Sequence, residues 1–324
     1  MYLPTRARDV RIPKDGGRRP LKLRGIIDRA VSLSTLHALS PIIDPVLLPN
    51  VYGFRPRRSI WELLASLCQA VDGTGHAWLS HVDIEKAFDN VPITNSLQCY
   101  ARHIPDEGLM WLVERILRGH GGISQTVGIE QGCPMSPLTL NTLMHYLLDL
   151  PLRAAGQDYP LWYARYADNL LLLSQSAFDG RERLAQVRSL LSQASLRLKT
   201  QKGDPPVNLC RRGTAVDVLG FRVWLADDQL QIGLGEKAYA GLEESLTWAW
   251  SAPAPSQTAR MVVRGWLAVL GPAVESVGFG LAREVRQRAS RMGFREVGGE
   301  RELEDVLWNS FQRWLRLRAS FQQG

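Results

Sequence analysis

We predict an α+β fold in which a mixed body extends to about residue 235 and a helical part follows it. Short apolar runs at 77–84, 161–166 and 170–173 have the length of β-strands. Elsewhere in the first 235 residues, apolar side chains mostly recur at helical spacing. After residue 235 the pattern is helical throughout and rich in Arg and Trp, with a loop expected at 251–256.

The first quarter of the chain is predicted to contain a hairpin and two helices. The turn signal Asp15-Gly16-Gly17 divides the basic segment 4–20 into two short strands. Apolar residues at helical spacing predict a helix over 28–47. A second helix is predicted to begin at Ser59 and reach residue 71, because Glu62 completes a capping box with that serine.

The middle of the chain alternates strands and helices. The run at 77–84 predicts a strand that ends in acidic residues. The runs at 161–166 and 170–173 flank Ala167-Asp168-Asn169, which is typical of a tight β-hairpin with an acidic tip. The remaining predicted helices are 94–103, 107–118, 137–150 and 181–194, and the remaining strands are 123–129, 216–225 and 229–232.

Composition indicates an intracellular protein, and its charge leaves a polyanionic partner open. The formal net charge is +7 and the isoelectric point is about 9.4, which favours such a partner but is also common in proteins without one. Arg outnumbers Lys, but a GC-rich genome would give the same bias. The four cysteines are scattered without a C-x-x-C pair, which argues against a zinc site or a disulfide framework. The sequence shows neither a signal peptide nor an apolar run of membrane-spanning length, so a cytoplasmic location without a membrane partner is expected.

Two acidic sites each follow an apolar strand. Asp83 ends the first predicted strand, and Asp168 lies at the tip of the predicted hairpin. A two-metal phosphoryl-transfer site needs at least two carboxylates on neighbouring rigid strands, with the ions about 3.5–4 Å apart. Taken singly, each aspartate has a turn or helix cap as its simpler interpretation; together they predict a metal site.

A series of short motifs, in the right order, resembles the group II intron reverse transcriptases and their bacterial group II-like relatives. The resemblance covers nearly the whole chain. Its motifs are Ile12-Pro13-Lys14, Arg19-Pro20-Leu21, Asp28-Arg29, Asn50–Pro56 with Ser59, Asp83–Asn90, Gln131–Leu138, Arg165–Asn169, Leu219-Gly220-Phe221 and Arg264-Gly265-Trp266.

The resemblance implies a right-hand polymerase with an antiparallel palm sheet. Residues 1–75 would form the fingers, without the usual N-terminal extension. Residues 76–235 would form the palm with inserted fingers helices, and residues 236–324 a helical thumb like domain X of the maturases.

The resemblance also assigns the catalytic and metal-binding residues of an RNA-directed DNA polymerase. Asp83, Asp168 and the Ile84 carbonyl would bind two Mg²⁺ ions, with Mn²⁺ as an alternative, because these hard cations prefer oxygen ligands. Lys202 is a candidate general acid for the pyrophosphate leaving group, and Lys199 competes with it for that role.

The nucleotide site follows from the same motifs. Phe88 occupies the position of a steric gate that would select deoxynucleoside triphosphates, although a core aromatic is the alternative interpretation. The other residues implied to contact the nucleotide are Lys14, Arg19, Ile84, Gln131, Gly132 and Asn169.

Contacts with an RNA template and a DNA or RNA primer are expected along the motifs outside the metal site. The residues implied are Arg55, Arg57, Arg58, Leu219, Gly220, Phe221, Arg264 and Trp266. For the C-terminal Trp residues, packing between helices and a track along the template–primer duplex are both open interpretations. The segment 303–317 is predicted to be an amphipathic helix that is either solvated or bound to RNA.

Three departures from the family pattern qualify this prediction. Asn169 stands where the family has a second aspartate, which removes one negative charge and suggests attenuated activity. The usual N-terminal extension is missing, so a dedicated non-coding RNA, a partner protein or an oligomer is expected to cover that surface. The chain also leaves no room for an endonuclease tail, which favours a domesticated or defence-associated role over retrohoming.

Three functions follow from the sequence. One is an RNA-templated DNA polymerase, and the second is an attenuated or inactive polymerase fold that acts as an RNA-binding maturase or scaffold. The third is a polymerase that works without an external template or from a dedicated non-coding RNA.

Overall fold

The computed structural model describes residues 2–14, 17–74, 77–155, 162–199 and 205–322, and the side chains of 11–14, 17–20, 73 and 74 are not included in the description. The fold is α+β, as predicted. The chain divides into two compact units. The first contains Met1–Ile12, Pro20–Ser59 and Trp78–Val207, and the second contains Pro13–Arg19, Ile60–Ala77 and Asn208–Gly324.

The N-terminal elements are a pair of strands and a long helix. Strands β1 (Arg8–Lys14) and β2 (Gly17–Leu23) form a two-stranded sheet, in agreement with the two predicted strands, and Asp15 and Gly16 of the predicted turn lie outside the described residues. Helix α1 (Ile26–Ile43) follows and ends at a short 3₁₀ turn, Asp44–Val46, where Pro45 stands.

A four-stranded sheet carries Asp83 at the end of one strand and Asp168 in the turn between two others. Its strands are β3 (Trp78–Asp83), β4 (Tyr163–Tyr166), β5 (Asn169–Ser174) and β6 (Val207–Asn208), in the order β4-β5-β3-β6. Strand β5 is antiparallel to both β3 and β4. The four leucines Leu170–Leu173 are all buried, because helices cover the sheet and its central strand has no solvated face.

Helices complete the first unit around this sheet. A buried apolar cluster from β3, β5 and the surrounding helices forms its core. The helices are α3 (Ala87–Asn90), α4 (Ile93–Ala101), α5 (Glu107–Arg118), α6 (Met135–Met144), α7 (Leu150–Ala155) and α8 (Ala177–Ser192). Between α6 and α7 the chain makes a π-helical turn, His145–Asp149.

The second unit combines helix α2 (Ile60–Thr74) with a three-stranded antiparallel sheet and the C-terminal helices. The strands are β7 (Val216–Val218), β8 (Phe221–Ala226) and β9 (Gln229–Leu234). The helices are α9 (Glu236–Ala249), α10 (Pro255–Ala268), α11 (Val274–Val277), α12 (Leu281–Arg291) and α13 (Glu300–Gln322).

Two predicted strands are wrong. Residues 119–124 form a 3₁₀ segment, and beyond it Val127 makes a single bridge with Pro92. Gly128 has a φ of 89° and proline donates no backbone hydrogen bond, so a ladder cannot extend there. The predicted strand 216–225 is a hairpin, because Leu219 and Gly220 form a two-residue turn with φ of 50° and 92°.

The predicted division into fingers, palm and thumb stays a prediction. The compact units group 60–77 and 208–235 with the C-terminal helices rather than with the regions assigned to fingers and palm. Among the described residues, no helix is both long and apolar enough to span a membrane.

Candidate active site

The strand register brings Asp83 and Asp168 to the same edge of the sheet. Asp83 is the last residue of β3, and its cross-strand partner is Asn169, the first residue of β5. The Ile84 N–H donates to the Asp168 carbonyl at 2.9 Å. Both aspartates are half-buried. The backbones of the two aspartates are therefore neighbours at this edge of the sheet, and their role as metal ligands stays a prediction.

The hairpin tip between β4 and β5 has a strained backbone. Ala167 has a φ of 57°, in the left-handed region that favours glycine. Gly53 lies against this tip so closely that a Cβ there would lie 2.9 Å from the Tyr166 carbonyl carbon and closer still to the Ala167 nitrogen. The absence of a side chain at Gly53 therefore allows the loop 50–53 to pack on the tip.

A fully buried ion pair between Arg165 and Asp149 stabilises the β4–β5 hairpin. The Arg165 guanidinium donates to both Asp149 carboxylate oxygens, with Nη2–Oδ2 at 2.7 Å and Nε–Oδ1 at 2.9 Å. Both side chains are 0% exposed. The Tyr163 hydroxyl also donates to Asp149, at 2.7 Å. Such a charge pair needs all of its hydrogen-bonding groups matched when it is removed from water.

The same guanidinium connects the pair to the hairpin tip. Arg165 Nη1 donates to the Ala167 carbonyl at 3.0 Å and to Asn141 Oδ1 at 2.8 Å. Asn141 Nδ2 in turn donates to the Gly53 carbonyl at 2.8 Å. The buried network thus holds both the strained turn and the loop that packs on it.

The π-helical turn brings the two helical partners of Arg165 onto one face. Asn141 and Asp149 are eight residues apart, which in a regular α-helix would leave their side chains about 80° apart. The wider turn at His145–Asp149 reduces that angle. Both side chains are fully buried and bind the same guanidinium.

Burial and charge pairing change the acid–base properties of this network. Burial and the neighbouring Asp149 carboxylate raise the pKa of Tyr163 well above its ordinary value. Burial disfavours the Arg165 cation, but the Asp149 carboxylate more than compensates and leaves the Arg165 pKa raised. Arg165 therefore stays charged and Tyr163 neutral at physiological pH.

His81 and Asn169 form a second polar group at the edge of the sheet. His81 Nε2 lies 3.0 Å from Asn169 Oδ1, and Asn169 Nδ2 lies 3.4 Å from Asp168 Oδ1. Asn169 is thus in contact with both a histidine and Asp168, one of the predicted metal ligands.

The donor set at this edge suits magnesium. Asp83 and Asp168 supply carboxylate oxygens, and a backbone carbonyl such as that of Ile84 is the same kind of hard donor. Within the part of the chain that the structure describes, no group of three or more His, Cys, Asp or Glu side chains could hold an ion.

Phe88, the predicted gate, lies at the margin of the buried core. It is 7% exposed, and its ring contacts the exposed ring of Phe54 edge-on at 6.1 Å. The Ile129 N–H donates to the Phe88 carbonyl at 2.8 Å, which fixes the backbone beside the ring. Both the gate and the core interpretation are compatible with this position, so the gate stays a prediction.

Gln131 and Gly132 pack against strand β2. The Lys22 N–H donates to the Gln131 carbonyl at 2.8 Å, and Gln131 Nε2 lies 3.3 Å from Asp89 Oδ1. Gly132 has a φ of 111°, and a Cβ there would lie 2.8 Å from the Lys22 carbonyl. The close approach of the Lys22 backbone therefore requires glycine at this position, whether or not the residue also contacts a base pair.

Several predicted residues lie outside the described part of the structure. They are Lys202 and the side chains of Lys14 and Arg19. The competing general acid, Lys199, donates its backbone N–H to the Asp83 carbonyl at 2.8 Å, and its side chain is exposed. Its backbone therefore lies next to the predicted metal ligand.

The arginines of the loop after α1 differ in their contacts. The Arg55 guanidinium is turned inward, donating to Asp44 Oδ1 at 2.7 Å and to the Leu48 carbonyl at 2.7 Å. Arg58 lies over the Tyr52 ring, and Arg57 is exposed with a φ of 57°. Arg57 and Arg58 are thus better placed than Arg55 for the predicted contact with nucleic acid.

The predicted contacts in the second unit have mixed surroundings. Leu219 and Gly220 form the β7–β8 turn, and Phe221 is buried directly after it. Arg264 pairs with Glu302, and Trp266 Nε1 donates to the Ala238 carbonyl at 3.3 Å. These roles in binding nucleic acid remain predictions.

The C-terminal Trp residues fall into two groups. Trp314 is 1% exposed and packs edge-on against Trp61, and Trp266 contacts Tyr239. Trp248, Trp250 and Trp308 are about half exposed. Packing between helices thus accounts for the first group, whereas the second group retains exposed ring surface.

Sequence reasoning missed the residues that support the aspartates. Asn141 and Asp149 are fully buried polar residues, and a buried polar residue of this kind needs a partner. Arg165 and Gly53 were identified only as members of sequence motifs, without a structural role, and no role was predicted for His81. Their positions depend on contacts between residues that are distant in sequence.

Comparison with known proteins identifies the class. Residues 12–223 match the family model described as reverse transcriptase (RNA-dependent DNA polymerase). The chain is 30% identical to protein YkfC of Escherichia coli K12 over 44% of its own length and 40% of that protein's. It is 27% identical to the group II intron-encoded protein LtrA of Lactococcus lactis subsp. cremoris, over 45% of its length and 25% of that protein's.

Solved structures show the same fold. Telomerase from Candida tropicalis, in complex with a fragment of telomeric RNA, aligns with all of this chain and 64% of its own, with a TM-score of 0.54 and 8% identity. The right-hand polymerase fold is thereby confirmed.

The family match covers well over half of the chain. The chain therefore belongs to the reverse transcriptase (RNA-dependent DNA polymerase) family, and it is of the group II-like kind. It spans less than half the length of the curated relatives named above.

Proposed function

We propose that this protein is an RNA-directed DNA polymerase that extends a DNA or RNA primer on an RNA template with deoxynucleoside triphosphates. The observation that carries the proposal is the position of Asp83 and Asp168 at one edge of the sheet: Asp83 pairs with Asn169 across the strands, and the Ile84 N–H donates to the Asp168 carbonyl at 2.9 Å. Membership of the reverse transcriptase family supports the same reaction.

Asp83, Asp168 and the Ile84 carbonyl would hold two Mg²⁺ ions, or Mn²⁺ in their place. When bound, such ions activate the primer hydroxyl and neutralise charge on the transferring phosphate. The protein's contribution is to position the carboxylates, and the buried Arg165 network beneath the hairpin serves that purpose. Phe88 would exclude ribonucleotides, and Gln131 and Gly132 would lie along the nascent base pair.

Asn169 is proposed to attenuate the activity. An amide in place of the second aspartate leaves the site with one negative charge fewer, and the affinity for divalent cations falls with ligand charge. Asn169→Asp is therefore expected to raise activity at low Mg²⁺ concentration.

The biological setting that fits these features is a domesticated or defence-associated system. A dedicated non-coding RNA or a partner protein would then provide the template. The third possibility, synthesis without an external template, would be recognised by sequencing the product.

A second candidate function is an RNA-binding scaffold that has kept the polymerase fold. Asn169 is the observation that favours it, because loss of a carboxylate from this position can leave a site too weak for turnover. The basic composition, with a net charge of +7, would serve RNA binding in either case.

Primer extension on an RNA template, in Mg²⁺ and then in Mn²⁺, tests the proposal. Asp83→Ala is the inactive control, and Asp72→Ala, an exposed aspartate on α2, is the matched substitution away from the sheet edge. Extension that is lost only in Asp83→Ala establishes the polymerase. Tight RNA binding without extension by the wild type, in either metal, would favour the scaffold.

A further inference from the structure

We infer that His81 and Asn169 act as a relay that positions the Asp168 carboxylate, so that Asn169 is a hydrogen-bond donor to Asp168 and not itself a metal ligand. The inference rests on the proposed function, because it concerns the alignment of a ligand in the proposed metal site. It assigns roles to His81 and to the Asn169 amide that the family motif does not contain.

The strand register places the relay on the catalytic face of the sheet. Side chains alternate along a strand, so His81 and Asp83 project from the same face of β3. Asn169 is the direct cross-strand partner of Asp83, and His81 pairs with Leu171. His81 and Asn169 are thus diagonal neighbours on one face, at a separation that side chains of their size bridge.

The orientation of the Asn169 amide follows from its two neighbours. An ionised carboxylate only accepts hydrogen bonds, so the amide nitrogen faces Asp168, with Nδ2 3.4 Å from Oδ1. The amide oxygen then faces His81, 3.0 Å from Nε2. Nε2 must therefore carry a hydrogen and donate it, which fixes the tautomer of the neutral imidazole.

This orientation changes the role of the amide. Its oxygen is engaged by His81, whereas binding a cation would require that oxygen. Its nitrogen restrains one oxygen of Asp168 through a long hydrogen bond. A second aspartate at position 169 would instead place two like charges side by side, and those carboxylates would repel each other until a cation arrived.

The consequence is a site that is aligned before it binds an ion. The relay exchanges one negative charge, which would strengthen ion binding, for a neutral donor that holds Asp168 in place. Partners that orient a metal ligand commonly contribute about 10–100-fold to metal affinity or activity. We expect the relay to lie at the lower end, because its second hydrogen bond is long.

The test compares variants that break the relay at each member. His81→Leu removes the donor, Asn169→Ala removes the bridge, and the double variant removes both. His81→Gln retains an N–H donor and is the conservative rescue. His37→Leu is the matched control, since His37 is exposed on α1.

The first readout is the dissociation constant for Mn²⁺ by electron paramagnetic resonance, counting only the ions that Asp83→Ala abolishes. We expect about tenfold weaker binding in His81→Leu and in Asn169→Ala. The double variant should bind Mn²⁺ no more weakly than the single variant with the lower affinity, because both residues act through one chain of hydrogen bonds. His81→Gln should recover most of the affinity.

The second readout needs no metal and no activity. The ¹⁵N spectrum of His81 in the metal-free protein should show the Nε2–H tautomer, and the preference should weaken in Asn169→Ala. Thermal melting checks that each variant is folded. If His81→Leu does not fold, His81→Gln is compared with Asn169→Ala instead.

Two results would overturn the relay while leaving the polymerase proposal intact. One is Asp83-dependent Mn²⁺ binding that is unchanged in His81→Leu and Asn169→Ala. The other is the Nδ1–H tautomer at His81 in the folded wild type. The absence of any Asp83-dependent ion from the wild type would overturn the relay and the proposed function together.

Discussion

Arginine–carboxylate pairs occur in both compact units but in opposite surroundings. In the first unit, Arg165 and Asp149 are 0% exposed and their shortest contact is 2.7 Å. In the second unit, Glu302 pairs with both Arg260 and Arg264, whose side chains are 51% and 44% exposed. The chemical groups are the same, and only the solvent differs.

The difference shows which charges are required by the fold. A buried pair cannot lose one partner without leaving a charge in a medium of low dielectric constant. An exposed pair exchanges its partner for water at little cost. Arg260 and Arg264 can therefore exchange Glu302 for another anion, such as a phosphate. Arg165 cannot exchange Asp149, and it stabilises the hairpin that carries Asp168.

The largest expected effect comes from removing one charge of the buried pair. Asp149→Asn leaves the Arg165 cation uncompensated and should lower the free energy of unfolding by about 3–5 kcal/mol, as measured by urea denaturation. Glu302→Gln is the same change in the exposed pair and should leave the free energy of unfolding almost unchanged, because water replaces the lost partner. Equal effects for the two variants would contradict the comparison.

Adding one methyl group distinguishes the units in a second way. Gly53→Ala would push a Cβ into the backbone of the hairpin tip, and we expect a loss of about 1–3 kcal/mol in the free energy of unfolding. Because the tip carries Asp168, primer extension should fall by up to about a hundredfold.

The matched variant is Gly265→Ala, in the exposed part of α10, where a Cβ would meet nothing within 4 Å. It should raise stability by about 1 kcal/mol, because alanine is the better helix former. A destabilised Gly265→Ala, or a Gly53→Ala with full activity, would show that the packing at these glycines is not as described.

A smaller effect is expected from the exposed arginines. If Arg264 contacts a phosphate, Arg264→Gln should reduce the slope of log K against log salt for RNA binding by about 0.7–0.9. Stability should change by less than about 1 kcal/mol. Arg283→Gln, which breaks the exposed pair with Glu300 outside any family motif, should leave the slope unchanged. Identical slopes in all three proteins would remove Arg264 from the proposed interface.

The smallest effect concerns a buried carboxylate that is held by neutral donors. Asp28 accepts hydrogen bonds from the Tyr2 hydroxyl at 2.9 Å, from the Thr5 N–H at 3.1 Å and from the Thr5 hydroxyl. Burial opposes its ionisation, but these bonds and the nearby Arg24 leave the Asp28 pKa lowered.

Because the pKa of Asp28 is lowered in the folded state, ionised Asp28 stabilises the fold at pH values above its unfolded-state pKa of about 3.9. This stabilisation is lost as the pH falls through the pKa of the folded state. The Thr5 amide resonance in NMR spectra should therefore stay constant from pH 7 down to about 4 and shift only below that. A shift between pH 5 and 7 would contradict the lowered pKa, and Asp28→Asn should remove the transition.

Much of the fold was predictable because local patterns match it. The strands predicted at 77–84, 161–166 and 170–173 correspond to β3 (Trp78–Asp83), β4 (Tyr163–Tyr166) and β5 (Asn169–Ser174), with the acidic tip between β4 and β5. Apolar runs of this length between turn signals have few other solutions. The strand predicted at 123–129 failed because glycines and a proline partner outweighed local propensity. The turn at Leu219-Gly220 was missed because leucine rarely adopts a positive φ.

The sequence by itself determined the family, the fold class and the identity of the two aspartates, because each is recorded in short motifs in a fixed order. Only the tertiary structure decided what supports them. The Arg165–Asp149 pair, the contact of Gly53 with the hairpin tip and the hydrogen bond between His81 and Asn169 join residues that lie far apart in the sequence. Such contacts are set by the packing of strands and helices. A motif specifies residue types along the chain, whereas hydrogen bonds depend on distances that exist only after folding.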